Sequence, residues 1–378
     1  MERRGAAIAI EHGCGRQRNS GSQVMASPLS RRGHAVGTKR SGAVTIRDIA
    51  RQTGVSVNTV SRALTGKYDI SAKTKARVLA AAKRLGYTPN LMARSLVQGR
   101  TRTLGLLVTD CTHPFYATLI REVEKVAAGS GYALLLATSN EDVVKEAAGI
   151  RLLTERRVDG LLLSPVSVEA PHIRRGLSRA RLPSVLLARR PTAYKGAFVG
   201  TDNVEAAKLA VRHLIELGHR RIAHVTRSDP VASAVERLEG YRQEIERAGF
   251  GYEAPLVLEA PQTVEGGRTA AGQILQQAPA PTAVFAYSDL QAIGILLGLR
   301  EAGVNVPKDM SVIGFDDIEF ARYMTPPLTT VAQSVDQIGR ISAHLLIDIL
   351  EGRAHRTPHS HLLPGSLVVR GSTGRPRS

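Results

Sequence analysis

The sequence predicts two unlike parts: a short all-α unit near the N-terminus and a long α/β region of two doubly wound subdomains. Three observations predict this. Three short helical patterns with only brief turns between them run from Thr45 to Gly86. From Leu104 onward, short apolar runs alternate with amphipathic helical stretches, the pattern of parallel sheets with right-handed crossovers. That alternation continues for about 260 residues, too long for one core.

Charge divides at the same place. Of a formal net charge of +18, residues 1–40 carry +6 and residues 41–103 carry +10, with 12 basic groups against 2 acidic. The remaining chain is nearly balanced at +2. A basic module on a neutral one is the footprint of phosphate-backbone binding, with an anionic membrane surface as the other option. No apolar run approaches the ~18 residues of a membrane span. Cys14 and Cys111 are too few for a disulfide framework or zinc site. A soluble, cytoplasmic protein is expected, with no cofactor.

Residues 1–42 are rich in Arg, Gly and Ser without apolar periodicity, so a disordered basic extension is expected. It reads either as an arm adding DNA affinity or as an extension without consequence, with Met25 as an alternative start. Order begins at Thr45, an N-cap with Asp48 three residues on, and Gly54 closes that helix. Ser56 caps the second helix, whose Val60, Ala63 and Leu64 point inward. So short a turn as Thr53-Gly54-Val55 makes the pair a helix-turn-helix, within a domain of residues 43–89. The third helix opens at Ser71, directs Val78, Leu79, Ala82 and Leu85 inward and stops at Gly86. Asn90 caps a further short segment to Val97, and a polar linker completes residues 90–103.

Buried strands are expected at Leu104–Thr109, Ala133–Thr138, Val158–Leu163, Ser184–Leu187, Ile222–Val225, Ala283–Ala286 and Ser311–Phe315. Helices are expected at Tyr116–Ala128, Glu141–Thr154, Val204–Leu217, Val235–Ala248 and Leu290–Ala302. Catalysis has no support: there is no nucleophile elbow, no phosphate loop ending in Gly-Lys-Ser/Thr and no His-Glu-x-x-His pair. His355, His359 and His361 lie in a Pro-containing stretch without Cys or carboxylate neighbours, so a solvated loop is expected rather than a metal set. Asp316-Asp317 follow a strand, where adjacent side chains usually diverge.

In a helix-turn-helix the first residues of the second helix meet base edges in the major groove. Val57 and Asn58 hold those places. Asn can pair with adenine, Val can pack on a thymine methyl, and Arg62 can reach guanine or phosphate. Ser56, Thr59, Ser61 and Thr74 are candidates for phosphate, with helix capping or packing as the other reading of these hydroxyls.

Val44-Thr45-Ile46-Arg47-Asp48-Ile49-Ala50, Gly54 through Arg62, and Tyr87-Thr88-Pro89-Asn90 through Ala93-Arg94-Ser95-Leu96 resemble the head-piece and hinge of the LacI/GalR family of bacterial transcriptional regulators. The resemblance extends through Asp110-x-x-x-Pro114-Phe115-Tyr116, Leu217-Gly218-His219-Arg220-Arg221-Ile222, Arg237-Leu238-x-Gly240-Tyr241 and Ile313-Gly314-Phe315-Asp316-Asp317 to Pro326-Pro327-Leu328-Thr329-Thr330. It spans about residues 43–372. It implies an α/β periplasmic-binding-protein-like sensor over 104–372, of subdomains 104–199 plus 331–362 and 200–330 plus 363–372, with a tail at 373–378. It also implies a homodimeric repressor on a pseudo-palindromic operator, controlled by a small-molecule effector, a sugar or sugar derivative, with a non-sugar metabolite as the alternative effector. A solute-binding protein of the same fold is the alternative class.

By the same resemblance Thr45, Asn90, Ala93 and Leu96 join the DNA contacts, with Leu96 as a minor-groove wedge. The effector would be held by Asp110, Phe115, Arg237, Ser288, Asp289 and Asp316, although Asp289 could instead cap the helix that follows. Three positions depart from the sugar-binding pattern: Ala188 where Asp is common, Gln262 where an aromatic platform is common, and His113 in place of Asn. The sensor's near neutrality suits a small, uncharged ligand. No Leu heptad closes the chain, so a dimer rather than a tetramer is expected.

Overall fold

The computed structural model describes residues 44–64, 70–88, 99–169, 171–191, 194–229, 231–353 and 360–377, with Arg174, Ser178 and Arg179 described by backbone alone. The expected extension at 1–42, the hinge residues Asn90, Ala93 and Leu96, and His355 and His359 lie outside the described residues. The chain divides into two compact units, Met1–Pro89 and Asn90–Ser378.

The first unit holds α1 (Ile46–Thr53), α2 (Val57–Leu64) and α3 (Ala72–Leu85). Each helix starts where a hydroxyl or carboxylate can serve its free N–H groups. The Thr45 N–H and hydroxyl both donate to Asp48 Oδ2, at 2.9 and 2.7 Å. The Thr45 hydroxyl bond, first among the causes, holds the Asp48 carboxyl below its ordinary value. Ser56 Oγ accepts from the Thr59 N–H at 3.0 Å and Ser71 Oγ from the Thr74 N–H at 3.3 Å. Gly54 (φ 66°) and Gly86 (φ 65°) end α1 and α3 in the left-handed region that other residues resist. Ile49, Val60, Ala63, Val78, Ala81 and Ala82 form the small core. Leu79 was expected inside, yet it is 45% exposed. At ~100° per residue it is turned well away from the face shared by Val78, Ala82 and Leu85, and Ala81 takes its place.

The second unit carries, in chain order, β1 (Thr103–Val108), α4 (Pro114–Gly129), β2 (Ala133–Thr138), α5 (Val143–Glu155), β3 (Gly160–Leu163), α6 (Pro171–Ala180), β4 (Ser184–Leu187) and β5 (Phe198–Thr201). It continues with α7 (Asn203–Glu216), β6 (Ile222–Arg227), α8 (Ala232–Arg247), β7 (Val257–Ala260), α9 (Val264–Leu275), β8 (Ala283–Ala286), α10 (Asp289–Glu301) and β9 (Ser311–Asp316). Last come β10 (Thr329–Ala332), α11 (Val335–Leu350), β11 (Ser360–Leu363) and β12 (Ser366–Val368).

Two six-stranded sheets result, ordered β11-β5-β4-β3-β1-β2 and β12-β10-β9-β8-β6-β7. All pairs are parallel except β10 with β12. The chain passes between lobes three times, after β5, β10 and β11, and every crossing leaves from the same side of the sheets. Side chains alternate across β1: Leu104, Leu106 and Val108 pack with Leu119, Val123 and Leu346, while Leu107 faces Leu153, Leu161 and Leu163. In the second lobe Val225, Val284 and Val312 meet Ile295, while Phe285, Ile313 and Phe315 meet Tyr241.

β2 corrects one expectation: it is only partly buried, because it is an edge strand. After β12, Ser372 O accepts the Val312 N–H at 2.8 Å and the Ser372 hydroxyl accepts the Thr329 N–H at 2.8 Å. Gly374 O lies 2.9 Å from His219 Nε2. Among the described residues no helix is long and apolar enough to cross a membrane.

Candidate functional site

On the first unit, Ser56, Val57 and Asn58 stand exposed in succession at the start of α2, with Val57 40% exposed although apolar. Ser61 and Arg62 follow one turn later and are half-buried. The hydroxyls have structural partners: Ser56 Oγ and Thr59 Oγ1 are 2.8 Å apart, and the Ser71 hydroxyl donates to Thr74 Oγ1 at 2.9 Å. The same unit exposes Arg47, Arg51, Lys73, Arg77, Lys83 and Arg84, with Arg51 in the last turn of α1 and Lys83 and Arg84 in the last turn of α3.

The second candidate site is the cleft between the lobes of the second unit, at the carboxyl ends of the strands, where such folds bind ligands. Phe115, Arg237 and Asp316 are brought together there. α8 delivers Arg237, 4% exposed, whose Nε donates to Asn203 Oδ1 at 3.0 Å and whose Nη1 donates to Tyr287 O. Its guanidinium lies 3.5 Å above the Phe315 ring centroid, so its direction is fixed by stacking as well as hydrogen bonds. Asp316 Oδ1 is 3.8 Å from Arg237 Nη1 and accepts the Gln333 amide at 2.7 Å. Its Oδ2 is buried without a partner, and its backbone is left-handed (φ 121°). Burial pushes this carboxyl above its ordinary value against the pull of Arg237 and His113. Asp317 diverges, accepting from Arg370 at 2.6 Å.

The other expected effector residues stand elsewhere. Ser288, fully buried, is the N-cap of α10, its Oγ accepting from the Gln291 N–H at 3.4 Å. Asp289 is therefore not the cap. Its two oxygens accept the Ile318 N–H (2.9 Å) and the Thr330 hydroxyl (2.6 Å) inside the second lobe. Burial, first, and the charge of Asp316 raise its carboxyl well above the ordinary range. Asp110 turns back on its own loop to accept from the Thr112 N–H and hydroxyl at 2.8 and 2.7 Å.

His113 and Gln262, two of the positions that depart from the sugar-binding pattern, line the cleft with Tyr116, Arg189, Ser233, Tyr287 and Gln333, which the sequence did not single out. Two arginines from opposite lobes share one carboxylate. Arg189, after β4, holds Glu141 with two bonds of 2.8 and 3.0 Å, and Arg227, at the end of β6, comes within 3.5 Å of the same carboxylate. Arg227 also donates to Gln262 Oε1 at 2.8 Å, and Gln262 Nε2 reaches His113 Nε2 across the cleft at 3.2 Å. The His113 Nδ1 also accepts the Phe115 N–H at 3.2 Å. Burial lowers the pKa of His113, and a neutral imidazole has one acceptor nitrogen, so these two bonds compete for it. Tyr287 hydroxyl pairs with Ser233 at 2.8 Å. Burial would raise its pKa, but Arg237, Arg189 and Arg227 together bring it below the ordinary value.

The free space among these side chains is about 30 Å³, enough for a water or two and not for a sugar. Next to it lies a space of about 360 Å³ bordered by Phe115, Arg121, Asp316, Asp317 and Gln333. Among the described residues no group of three or more His, Cys, Asp or Glu side chains could hold a metal ion.

Known proteins resemble the chain over almost its whole described length. Residues 45–90 match the family described as bacterial regulatory proteins, lacI family, and residues 211–373 match a periplasmic binding protein-like domain. The ribose operon repressor of Escherichia coli is 36% identical over 332 residues, covering 87% of this chain and 99% of that protein. The transcriptional repressor PurR of Photobacterium profundum is 32% identical over 87% of this chain and 98% of its own length. Among solved structures, the lac repressor dimer bound to operator and the anti-inducer ONPF superposes with a TM-score of 0.81 at 27% identity, covering 88% of this chain and 100% of that one. The helix-turn-helix, the two-lobed sensor and these relatives lead to one conclusion: the chain belongs to the lacI family of bacterial regulatory proteins, as a DNA-binding transcriptional repressor responsive to a small molecule and not an enzyme.

Proposed function

We propose that the protein binds a pseudo-palindromic operator as a homodimer through the exposed start of α2, and that a sugar or sugar derivative in the inter-lobe cleft controls that binding. The observation that carries the effector half is the Arg237–Asp316 pair with its unpartnered Asp316 Oδ2, a donor and an acceptor aimed at one small space. Hydroxyl groups supply both complements. Solved relatives include a CelR–cellobiose complex at 34% identity and a regulator from Enterococcus faecium with bound ribose at 30% identity. Phe115 gives the apolar face against which a sugar ring can rest.

For the DNA half, Val57 and Asn58 read bases, Arg62 reads a base or holds phosphate, and Ser56, Thr59, Ser61, Thr74 and Thr45 position the backbone. Asn90, Ala93 and Leu96 are assigned to the hinge contact with the minor groove on the family resemblance. An effector that favours one lobe arrangement shifts the DNA-competent population.

The test is selection of a site from random duplex DNA by the full-length protein, followed by anisotropy titration of that site. A two-fold symmetric site, steep weakening with salt and a change in affinity on adding a sugar are expected. Arg62→Ala should weaken the selected site by ~1–3 kcal/mol if Arg62 reads a base. An asymmetric site, or indifference to Arg62→Ala, refutes the DNA assignments; loss of all sugar response in wild type refutes the effector assignment.

A further inference from the structure

The cleft is more cationic than the sensor as a whole. Arg189, Arg227 and Arg237 are 6, 5 and 4% exposed, and among the described residues only Glu141 and Asp316 face them as carboxylates within ion-pair distance inside the cleft. Asp229, the remaining partner of Arg227, lies outward with its side chain 67% exposed. The Nε of Arg227 is buried without a partner. Burying guanidinium groups from two lobes against each other requires an anion between them.

Glu141 supplies that anion, and it is the least fixed member of the group. Its side chain is 28% exposed, against 6% and 2% for Arg189 and Arg227. It sits on a turn where Asn140 (φ 49°) and Glu141 (φ 58°) are both left-handed, a conformation that Glu tolerates poorly. It projects from the end of an edge strand, β2. With about 30 Å³ free, a ligand of sugar size enters only if lobes part or a side chain leaves.

We propose that the effector is an acidic polyol, bearing a carboxylate or phosphate, whose anionic group takes the place of the Glu141 carboxylate between Arg189 and Arg227. This rests on the cleft being the effector site, as proposed above. Glu141 is then an internal stand-in: it holds the lobes together without ligand and yields its position to a ligand that neutralises both arginines. The hydroxyl end of the ligand reaches Arg237 and Asp316. A neutral sugar offers nothing that replaces the displaced charge.

The experiment uses the full-length protein at constant ionic strength with two kinds of probe. The first is a thermal-shift panel of D-gluconate, D-glucuronate and D-glucose 6-phosphate against neutral D-glucose and D-ribose. The second is malonate, a small dicarboxylate used as a probe of the arginine pair in wild type and Glu141→Gln. Malonate should raise the Tm of Glu141→Gln by several degrees more than that of wild type, since the variant keeps both arginines and lacks their internal partner. Arg189→Gln, with Arg189→Lys as the milder variant, should abolish that extra response. In the panel, an acid should stabilise wild type where its neutral counterpart does not, and the carboxylate and phosphate arms identify the source. Equal malonate dependence in wild type and Glu141→Gln, or none in either, overturns the proposal. Stabilisation by a neutral sugar as large as by the acids also overturns it, while upholding the cleft as the effector site.

Discussion

In the first lobe Glu141 and Arg189 reach the cleft from turns, while His113, Phe115 and Tyr116 reach it from the start of α4. Glu141 and Ala188, next to Arg189, both have left-handed backbone, and Glu141 is held by Arg189 within its own lobe and by Arg227 across the cleft. In the second lobe the corresponding residues are braced from behind. Arg237 is held by Asn203, the Tyr287 carbonyl and the Phe315 ring. Asp289, behind the strand that ends in Asp316, ties Thr330 and the Ile318 N–H together, and His224 is stacked between Tyr241 and Phe285 with ring centroids 5.3 and 4.7 Å away. The second lobe holds its cleft residues Arg237 and Asp316 by a buried polar network, whereas Glu141 in the first lobe keeps Arg189 but has a contact to Arg227 that opening would remove. The second lobe is thus the fixed template and the first the adjustable cover.

The largest expected effect tests the template. Asp289→Ala leaves the Ile318 N–H and the Thr330 hydroxyl buried without an acceptor and should cost about 4 kcal/mol in chemical denaturation, at ~1–3 kcal/mol for each stranded group. A loss below about 1 kcal/mol would mean that the network is not a brace. The next is a pH effect. Burial brings the pKa of His224 down to about 4, against 6.5 for the free side chain. Between those values the unfolded chain binds a proton that the folded one refuses. Stability from this group is whole above pH 6.5 and is lost as pH falls toward 4, by about 3 kcal/mol in full. Urea midpoints between pH 7 and pH 4.5 should therefore fall more steeply for wild type than for His224→Phe. Asp289 and Asp316, with raised values, work in the opposite sense in both proteins and cancel in that difference.

The smallest effect concerns the cover. Gln262→Ala removes the amide that joins Arg227 to His113 and should weaken closure by about 1 kcal/mol, leaving global stability nearly unchanged. Solution X-ray scattering should show an increased radius of gyration. A cooperative loss of stability in its place would place Gln262 with the template.

The fold class was legible because periodicity changes at Leu104, and the caps Thr45, Ser56 and Ser71 stand where the helices begin. Five strands were not: β4 and β8 are as short as β5, β7, β10 and β11 but read as apolar runs, whereas Gly200, Glu259, Thr329-Thr330 and His361 break the runs of those four, and β12 has only three residues. In the site, Phe115, Arg237 and Asp316 followed from the resemblance, and the structure brings them into one cleft. Arg189, Arg227 and Glu141 were missed because they are far apart in the chain and only two sheets facing each other bring them together. Near neutrality of the whole sensor hid a local excess of positive charge. One signal was present, since Ala188 and Gln262 depart from the sugar-binding pattern at the positions beside this cluster.

The three crossings between the lobes have a mechanical consequence. They follow β5, β10 and β11, whereas Glu141 and Gln262 follow β2 and β7 at the opposite edges of their sheets. Five strand spacings make that a lever of about 24 Å. A rotation of about 10° about the crossing side would move the Glu141 end by about 4 Å. Gln333, just beyond β10, donates to Asp316 and accepts from Thr201 at 2.7 Å, so it lies almost on the axis and hardly travels. Asp316 therefore stays near the pivot, and the angle between the lobes is registered at the rim, where the smallest turn gives the greatest displacement.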